Sequence, residues 1–212
     1  MTVMQVEEFS FNTMLQEECD KAGVDDLQCE RPHVLLVTKL RHIISGDLLT
    51  LGNIHTVWDN FSQLDVTTLQ VSLSLSRLSA VAQDSPFILA GDFNSRQNMA
   101  PYYLLLTGQL SSQHVTDLSS LTTVLHRGQS LYQLLSHCYQ HSHHDLTSSY
   151  LSVKVGLKIH RIFSNHRMMV RAIACKASIL RLVYNPWAAK GKIERKYRHL
   201  LTQIMQICFY FW

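Results

Sequence analysis

Phe87-Ile88-Leu89-Ala90-Gly91-Asp92-Phe93-Asn94-Ser95 is the stretch that decides the fold. Four consecutive apolar residues, preceded by the break Asp84-Ser85-Pro86, read as a short strand buried on both faces. A buried strand ending in Asp-x-Asn sets two polar side chains two residues apart, on one side of a sheet edge. Asp92 can there orient and deprotonate a water, and the Asn94 amide can donate to a phosphoryl oxygen as charge develops on it. Taken alone, Gly-Asp and Asn-Ser are ordinary turn residues closing a strand, and that plainer reading is the better one. The weight therefore falls on what surrounds them.

Upstream, Val66, Leu69, Leu73, Leu78 and Val81 recur at roughly helical spacing, against the low helix propensity of the many Ser and Thr residues between them. Before that helix, Val34-Leu35-Leu36-Val37-Thr38-Lys39-Leu40 and Leu48-Leu49-Thr50-Leu51-Gly52-Asn53-Ile54-His55 flank Ser45-Gly46-Asp47, which predicts a β-hairpin. Asn53 and His55 share one side of its second strand. Residues 7–22 predict a short helix with Phe11, Leu15 and Ala22 near one face and Gly23 as its stop. Downstream, residues 100–107 read as a helix ended by Gly108, and residues 129–139, with Leu131, Leu134 and Leu135, as one more amphipathic helix. Strand, helix, strand is the resulting order, an α/β arrangement.

The 212 residues suit one domain with a real core, and 46% apolar against 17% charged residues exclude a disordered chain. No apolar run approaches the roughly 18 residues of a membrane span, and the Met1 end, with Glu7 and Glu8, lacks a signal-peptide layout. The expectation is a soluble protein of the cytoplasm or nucleus, with no membrane partner. The five cysteines are scattered and odd in number, which suits reduced thiols, and no C-x-x-C zinc spacing occurs. The net charge of +3 hides a split: residues 1–150 carry seven Lys/Arg against fifteen Asp/Glu, residues 151–212 twelve against the single Glu194. Such a split marks either a nucleic-acid-binding tail or a join between pieces of different origin.

Asn53-Ile54-His55-Thr56, Gln70, Gly91-Asp92-Phe93-Asn94-Ser95 and Pro101-Tyr102-Tyr103-Leu104-Leu105-Leu106-Thr107-Gly108-Gln109-Leu110 follow one another in a specific order. In that order and spacing the chain resembles the endonuclease/exonuclease/phosphatase superfamily, specifically its branch of carbon-catabolite-repressor-type deadenylases, nocturnin and angel proteins. Phe9-Ser10-Phe11-Asn12 is similar to that branch's E-F-N segment, and Leu146-Thr147-Ser148-Ser149-Tyr150-Leu151-Ser152-Val153 to its L-x-S-A-Y-x-S-V segment. The resemblance implies a partial four-layer α/β sandwich of deoxyribonuclease-I type, two stacked mixed sheets flanked by helices, over residues 1–154. It implies Mg²⁺-dependent (or Mn²⁺-dependent) hydrolysis of RNA or a nucleotide phosphodiester. Asp92 would orient water, Asn94 donate to the phosphate, His55 stand near the scissile phosphate, and Asn53 serve as a weaker substrate-binding candidate.

Two departures accompany the matches. The family's metal-binding Glu, in a Q-E-V-type motif, has no counterpart, and the chain is expected to begin after it; Glu7 and Glu8 are set aside because they precede a helix-like stretch. The family's L-D-Y-I strand and final S-D-H are also without counterpart, Ser164-Asn165-His166 having Asn where an Asp would fix the imidazole. The metal site is therefore expected to be incomplete, and a catalytically inactive interaction module or RNA-binding fragment stands as the alternative. Residues 155–212 form a basic segment of unclear fold, expected to pack loosely or as separate helices. Its basic residues could hold phosphate backbone, and its apolar end, Phe209 to Trp212, a protein partner. His137-Cys138 with His141, His143 and His144 gathers ligand types without metal spacing, and reads as a solvated loop.

Overall fold

The computed structural model describes residues 1–58, 62–96 and 98–141, with the strand segments 147–148, 161–164, 170–173 and 181–184. In chain order these are β1 (Thr2–Ser10), α1 (Phe11–Ala22), β2 (Val34–Arg41), β3 (Leu48–His55), α2 (Leu64–Ala82), β4 (Phe87–Asp92), α3 (Ala100–Thr107) and α4 (Ser112–Ser119). There follow β5 (Leu125–His126), β6 (Gln129–Ser130), α5 (Leu131–Leu134), a 3-10 turn (Ser136–Cys138), β7 (Thr147–Ser148), β8 (Arg161–Ser164), β9 (Val170–Ile173) and β10 (Arg181–Tyr184). One mixed sheet runs in the order β1-β2-β3-β4-β8-β7. Among the described residues only β3 and β4 pair in parallel within it, as the crossover through α2 requires.

Alternation along the strands builds the core. Leu35 and Val37 of β2, Ile54 of β3, and Phe87 and Leu89 of β4 are buried in one cluster with residues of α1 and α2. α2 is buried from Asp65 to Leu75 without a break, so it is an interior helix rather than a one-sided one. Its hydroxyls are accommodated by back-bonding: Thr67 donates to the Gln63 carbonyl at 3.0 Å and Thr68 to that of Leu64 at 2.5 Å. Gly52 lets the helix approach, since a Cβ there would stand 2.8 Å from Cδ2 of Leu78.

The hairpin of β2 and β3, the helix α2, the strand β4 and the helix α3 stand where the sequence predicts them. The first predicted helix begins only at Phe11. Residues 2–10 are instead an edge strand, paired from Thr2 opposite Arg41 to Ser10 opposite Val34. Glu7 and Glu8 therefore lie on a strand, correcting the reason for setting them aside. Residues 129–139 are not one helix, because Arg127 and Gly128, with φ of 50° and 81°, fold Gln129-Ser130 back onto Leu125-His126. Ser130 then caps a single turn, accepting from the Gln133 backbone while its own N–H donates to the Gln133 side chain.

The described parts of residues 155–212 are strands rather than separate helices. β8 pairs with β4, from Ile88 opposite Ser164 to Gly91 opposite Arg161. At residues 161–164 the segment thus supplies a neighbour to β4 within the same sheet. β9 and β10 form a separate antiparallel pair.

Candidate functional site at the ends of two parallel strands

β3 and β4 stop together. Their parallel register sets His55 opposite Asp92 and Asn53 opposite Ala90. Partners in a ladder project to the same face, so His55 and Asp92 stand side by side on strands about 4.8 Å apart. That face is the one opposite α1 and α2, since Ile54, of the other parity, lies in the helical core. Asn53 shares the face two residues back and is half-buried, whereas His55 is exposed. Close approach of the two ends depends on Gly91, whose φ is +145° and whose Cβ, if present, would fall 1.7 Å from the Ile54 carbonyl oxygen.

Asn94 lies past the end of β4, so strand alternation is not what places it. Its φ is 42°, a left-handed conformation that Asn tolerates better than most residues. The Asn94 backbone N–H donates to Oδ1 of Asp92 at 3.1 Å, and its side-chain Nδ2 donates to the Thr56 carbonyl at 2.8 Å. The Thr56 N–H donates in return to the Asp92 carbonyl at 3.0 Å. One residue on, the Val57 N–H donates to Oε1 of Gln70 at 2.8 Å, which ties the chain leaving β3 to the buried face of α2. Asp92, Asn94 and His55 are thus gathered at one edge, with Gln70 as a support beneath it.

Two residues missed in the sequence border the same edge. His33 immediately precedes β2, whose start lies beside the end of β3, and its carbonyl accepts from the Phe11 N–H at 2.8 Å. Burial, then the charges of His55 and Arg31, lower the His33 imidazole below its ordinary pKa. The Arg31 guanidinium donates from Nε and Nη2 to Oε1 of Gln63 at 3.1 and 2.9 Å, while the Arg31 N–H donates to the Asn12 side chain at 2.7 Å. The only signal was a basic pair around Pro32 ahead of an apolar strand.

Magnesium takes oxygen donors in near-octahedral array, commonly one or two carboxylates completed by water and substrate phosphate. Among the described residues the strand ends offer one carboxylate, Asp92, and no group of three His, Cys, Asp or Glu ligand atoms gathers there. These donors do not make up a magnesium site by themselves. Glu17 and Glu18 of α1 are engaged elsewhere, with Arg77 and with Lys21 and His137 respectively. His137-Cys138 is not a solvated loop: Cys138 and Tyr139 are buried, and only His137 of that turn's histidine-cysteine pair is exposed. His141 is held apart from them, its Nε2 within 2.8 Å of the Leu104 carbonyl. His143, His144, His166 and the basic and apolar residues near the C-terminus lie outside the described residues.

Comparison with known proteins agrees with this architecture. The chain is 34% identical over 93 residues to the CCR4-Not complex 3'-5'-exoribonuclease subunit Ccr4 of Saccharomyces cerevisiae, covering 38% of this chain and 11% of that protein. The Candida glabrata subunit of the same name is 31% identical over 94 residues, covering 40% of this chain and 10% of the other. The chain thus matches about a tenth of the length of these curated relatives. Among solved structures it is similar to ANGEL2, a 2',3'-cyclic phosphatase, with a TM-score of 0.58 at 18% identity, covering 82% of this chain and 58% of the other. It is also similar to the human Nocturnin catalytic domain with bound sulfate, with a TM-score of 0.51 at 14% identity, covering 85% and 54%. No protein-family model matches the sequence. Among the described residues no helix is long and apolar enough to cross a membrane.

Proposed function

From a chain that resembles the endonuclease/exonuclease/phosphatase superfamily in its deadenylase, nocturnin and angel branch, we infer a phosphodiester site at the ends of β3 and β4, acting on RNA or a nucleotide phosphodiester. The observation that carries this reading is the register of His55 opposite Asp92, with Asn94 fastened to both strand ends. Asp92 accepts a proton from the attacking water and aims the water at phosphorus; the opposite P–O ester bond breaks, and the departing oxygen takes a proton from solvent. Asn94 keeps one N–H of its amide for a phosphoryl oxygen, the other being given to Thr56. His55 faces the same phosphate from the neighbouring strand, and Asn53 lines the approach. Arg31 supplies positive charge along this edge, which favours an anionic substrate.

The same reading takes the fold as part of a two-sheet sandwich. Leu40, Leu51, Ile88 and Ala90 are buried although they belong to neither α1's nor α2's cluster, as expected of a face that another layer covers. It also takes the protein as one of the cytoplasm or nucleus, with the C-terminal segment as the part proposed to meet a protein partner.

A second reading has one observation in its favour, the lone carboxylate of Asp92 at the strand ends among the described residues. In it the site binds a phosphodiester without turnover. Adenylate-tailed RNA incubated with the purified chain and Mg²⁺ or Mn²⁺, beside Asp92→Ala, separates the two. Hydrolysis that falls by about a hundredfold or more in the variant supports catalysis by Asp92. Equal hydrolysis in both proteins contradicts it, and retention of the RNA with no cleavage by either supports binding alone.

A further inference from the structure

Glu18 of α1 and the pair His137-Cys138 of the 3-10 turn are 119 and 120 residues apart in sequence, yet their side chains converge. Oε2 of Glu18 lies 3.3 Å from Nε2 of His137 and 3.6 Å from Sγ of Cys138, and that Sγ lies 3.3 Å from the same imidazole nitrogen. Tetrahedral zinc, with bonds of about 2.0–2.2 Å to nitrogen or oxygen and 2.3 Å to sulfur, sets its ligand atoms roughly 3.3–3.6 Å apart. The three atoms therefore outline one face of a zinc tetrahedron. We propose that Glu18, His137 and Cys138 form a binding site for a thiophilic divalent cation of the zinc type, independent of the strand-end site.

The donors are held in place before any ion arrives. Lys21 donates to the other oxygen of Glu18 at 2.6 Å, which turns Oε2 toward His137. The turn carrying the other two ligands is fastened to α2 at its C-terminal end, by Ser72 donating to the Cys138 carbonyl and by the Tyr139 hydroxyl donating to the Asp65 carbonyl at 3.2 Å. His137 is exposed, so the fourth position can open to solvent, while Cys138 is buried behind it. The donor set selects the metal: a thiolate and an imidazole suit zinc, whereas magnesium takes oxygen ligands. On binding, the Cys138 thiol loses its proton to solvent as the sulfur–metal bond forms. The dication is then balanced by one thiolate and one carboxylate, with the His137 ring neutral. Such an ion would tie α1 to the turn after α5 across the α2 helix.

Cobalt(II) is the probe, because a thiolate ligand gives a sulfur-to-cobalt charge-transfer band and a tetrahedral site gives intense visible bands. The chelator-stripped, reduced full chain should show both bands, saturating at one ion per chain and bleached by added Zn²⁺. Cys138→Ser should abolish the charge-transfer band, and Asp92→Ala should keep it. Glu18→Gln, isosteric and on a helix surface, carries the test even where the cysteine variant does not fold: affinity for cobalt should fall by about tenfold or more. Absence of the charge-transfer band in the wild-type chain overturns the proposal, as does an undiminished band in Cys138→Ser or an unchanged affinity in Glu18→Gln.

Discussion

The side-chain amide of Asn94 donates to the carbonyl of Thr56 at 2.8 Å, joining the chain that leaves β4 to the chain that leaves β3. Thr56 is fully buried, so this carbonyl depends on protein partners. Asn94→Ala should destabilise the chain by about 1–3 kcal/mol, through the lost bond and the left-handed backbone together. Asn94→Gly should recover about 1 kcal/mol of that, because only the backbone strain is relieved. Urea unfolding midpoints measure both, and an Asn94→Ala chain as stable as the wild type would contradict the clasp.

Gln70 acts one layer below. Its Oε1 is the acceptor for the buried Val57 N–H, at 2.8 Å. Replacing Gln70 with Leu preserves bulk but strands that donor, which should cost about 1–3 kcal/mol. Amide exchange at Val57 should also accelerate relative to the core of β4. Unchanged protection at Val57 would show that the bond does not hold the strand end.

His33 gives the edge a pH dependence. Burial, followed by the charges of His55 and Arg31, lowers its folded-state pKa below the ordinary value of about 6.5. The unfolded chain takes up this proton more readily than the folded one. The His33 contribution is thus fully present above about pH 6.5 and is lost as pH falls through that value toward the folded pKa. His33→Gln should lose less stability than the wild type between about pH 7.5 and 5.5, as read from denaturant midpoints. Parallel losses in both proteins would remove His33 from the account.

Local pattern made much of this edge legible. The apolar run closed by Gly91 and Asp92 announced β4, and the Asn53-x-His55 spacing announced which side chains share a face. What could not be read is what long-range pairing creates. Thr2–Ser10 is a strand because β2 accepts it at the sheet edge, and with Val3, Met4 and Val6 all exposed its sequence carries no inward alternation. Asn94 reaches its place through a turn and a bond to Thr56, where strand periodicity would have put it on the same ladder as Asp92. Arg31, His33 and the meeting of Glu18 with His137-Cys138 depend on contacts between segments that no local window contains.

The most direct test of the central claim asks where a phosphodiester sits. A short phosphorothioate oligoadenylate, resistant to hydrolysis, should be titrated into isotope-labelled chain while histidine and asparagine side-chain resonances are followed. Saturable shifts are expected at His55 and Asn94, with His42 in the turn between β2 and β3, at the opposite end of the same strands, unmoved. Saturable binding that leaves His55 and Asn94 unperturbed would contradict it.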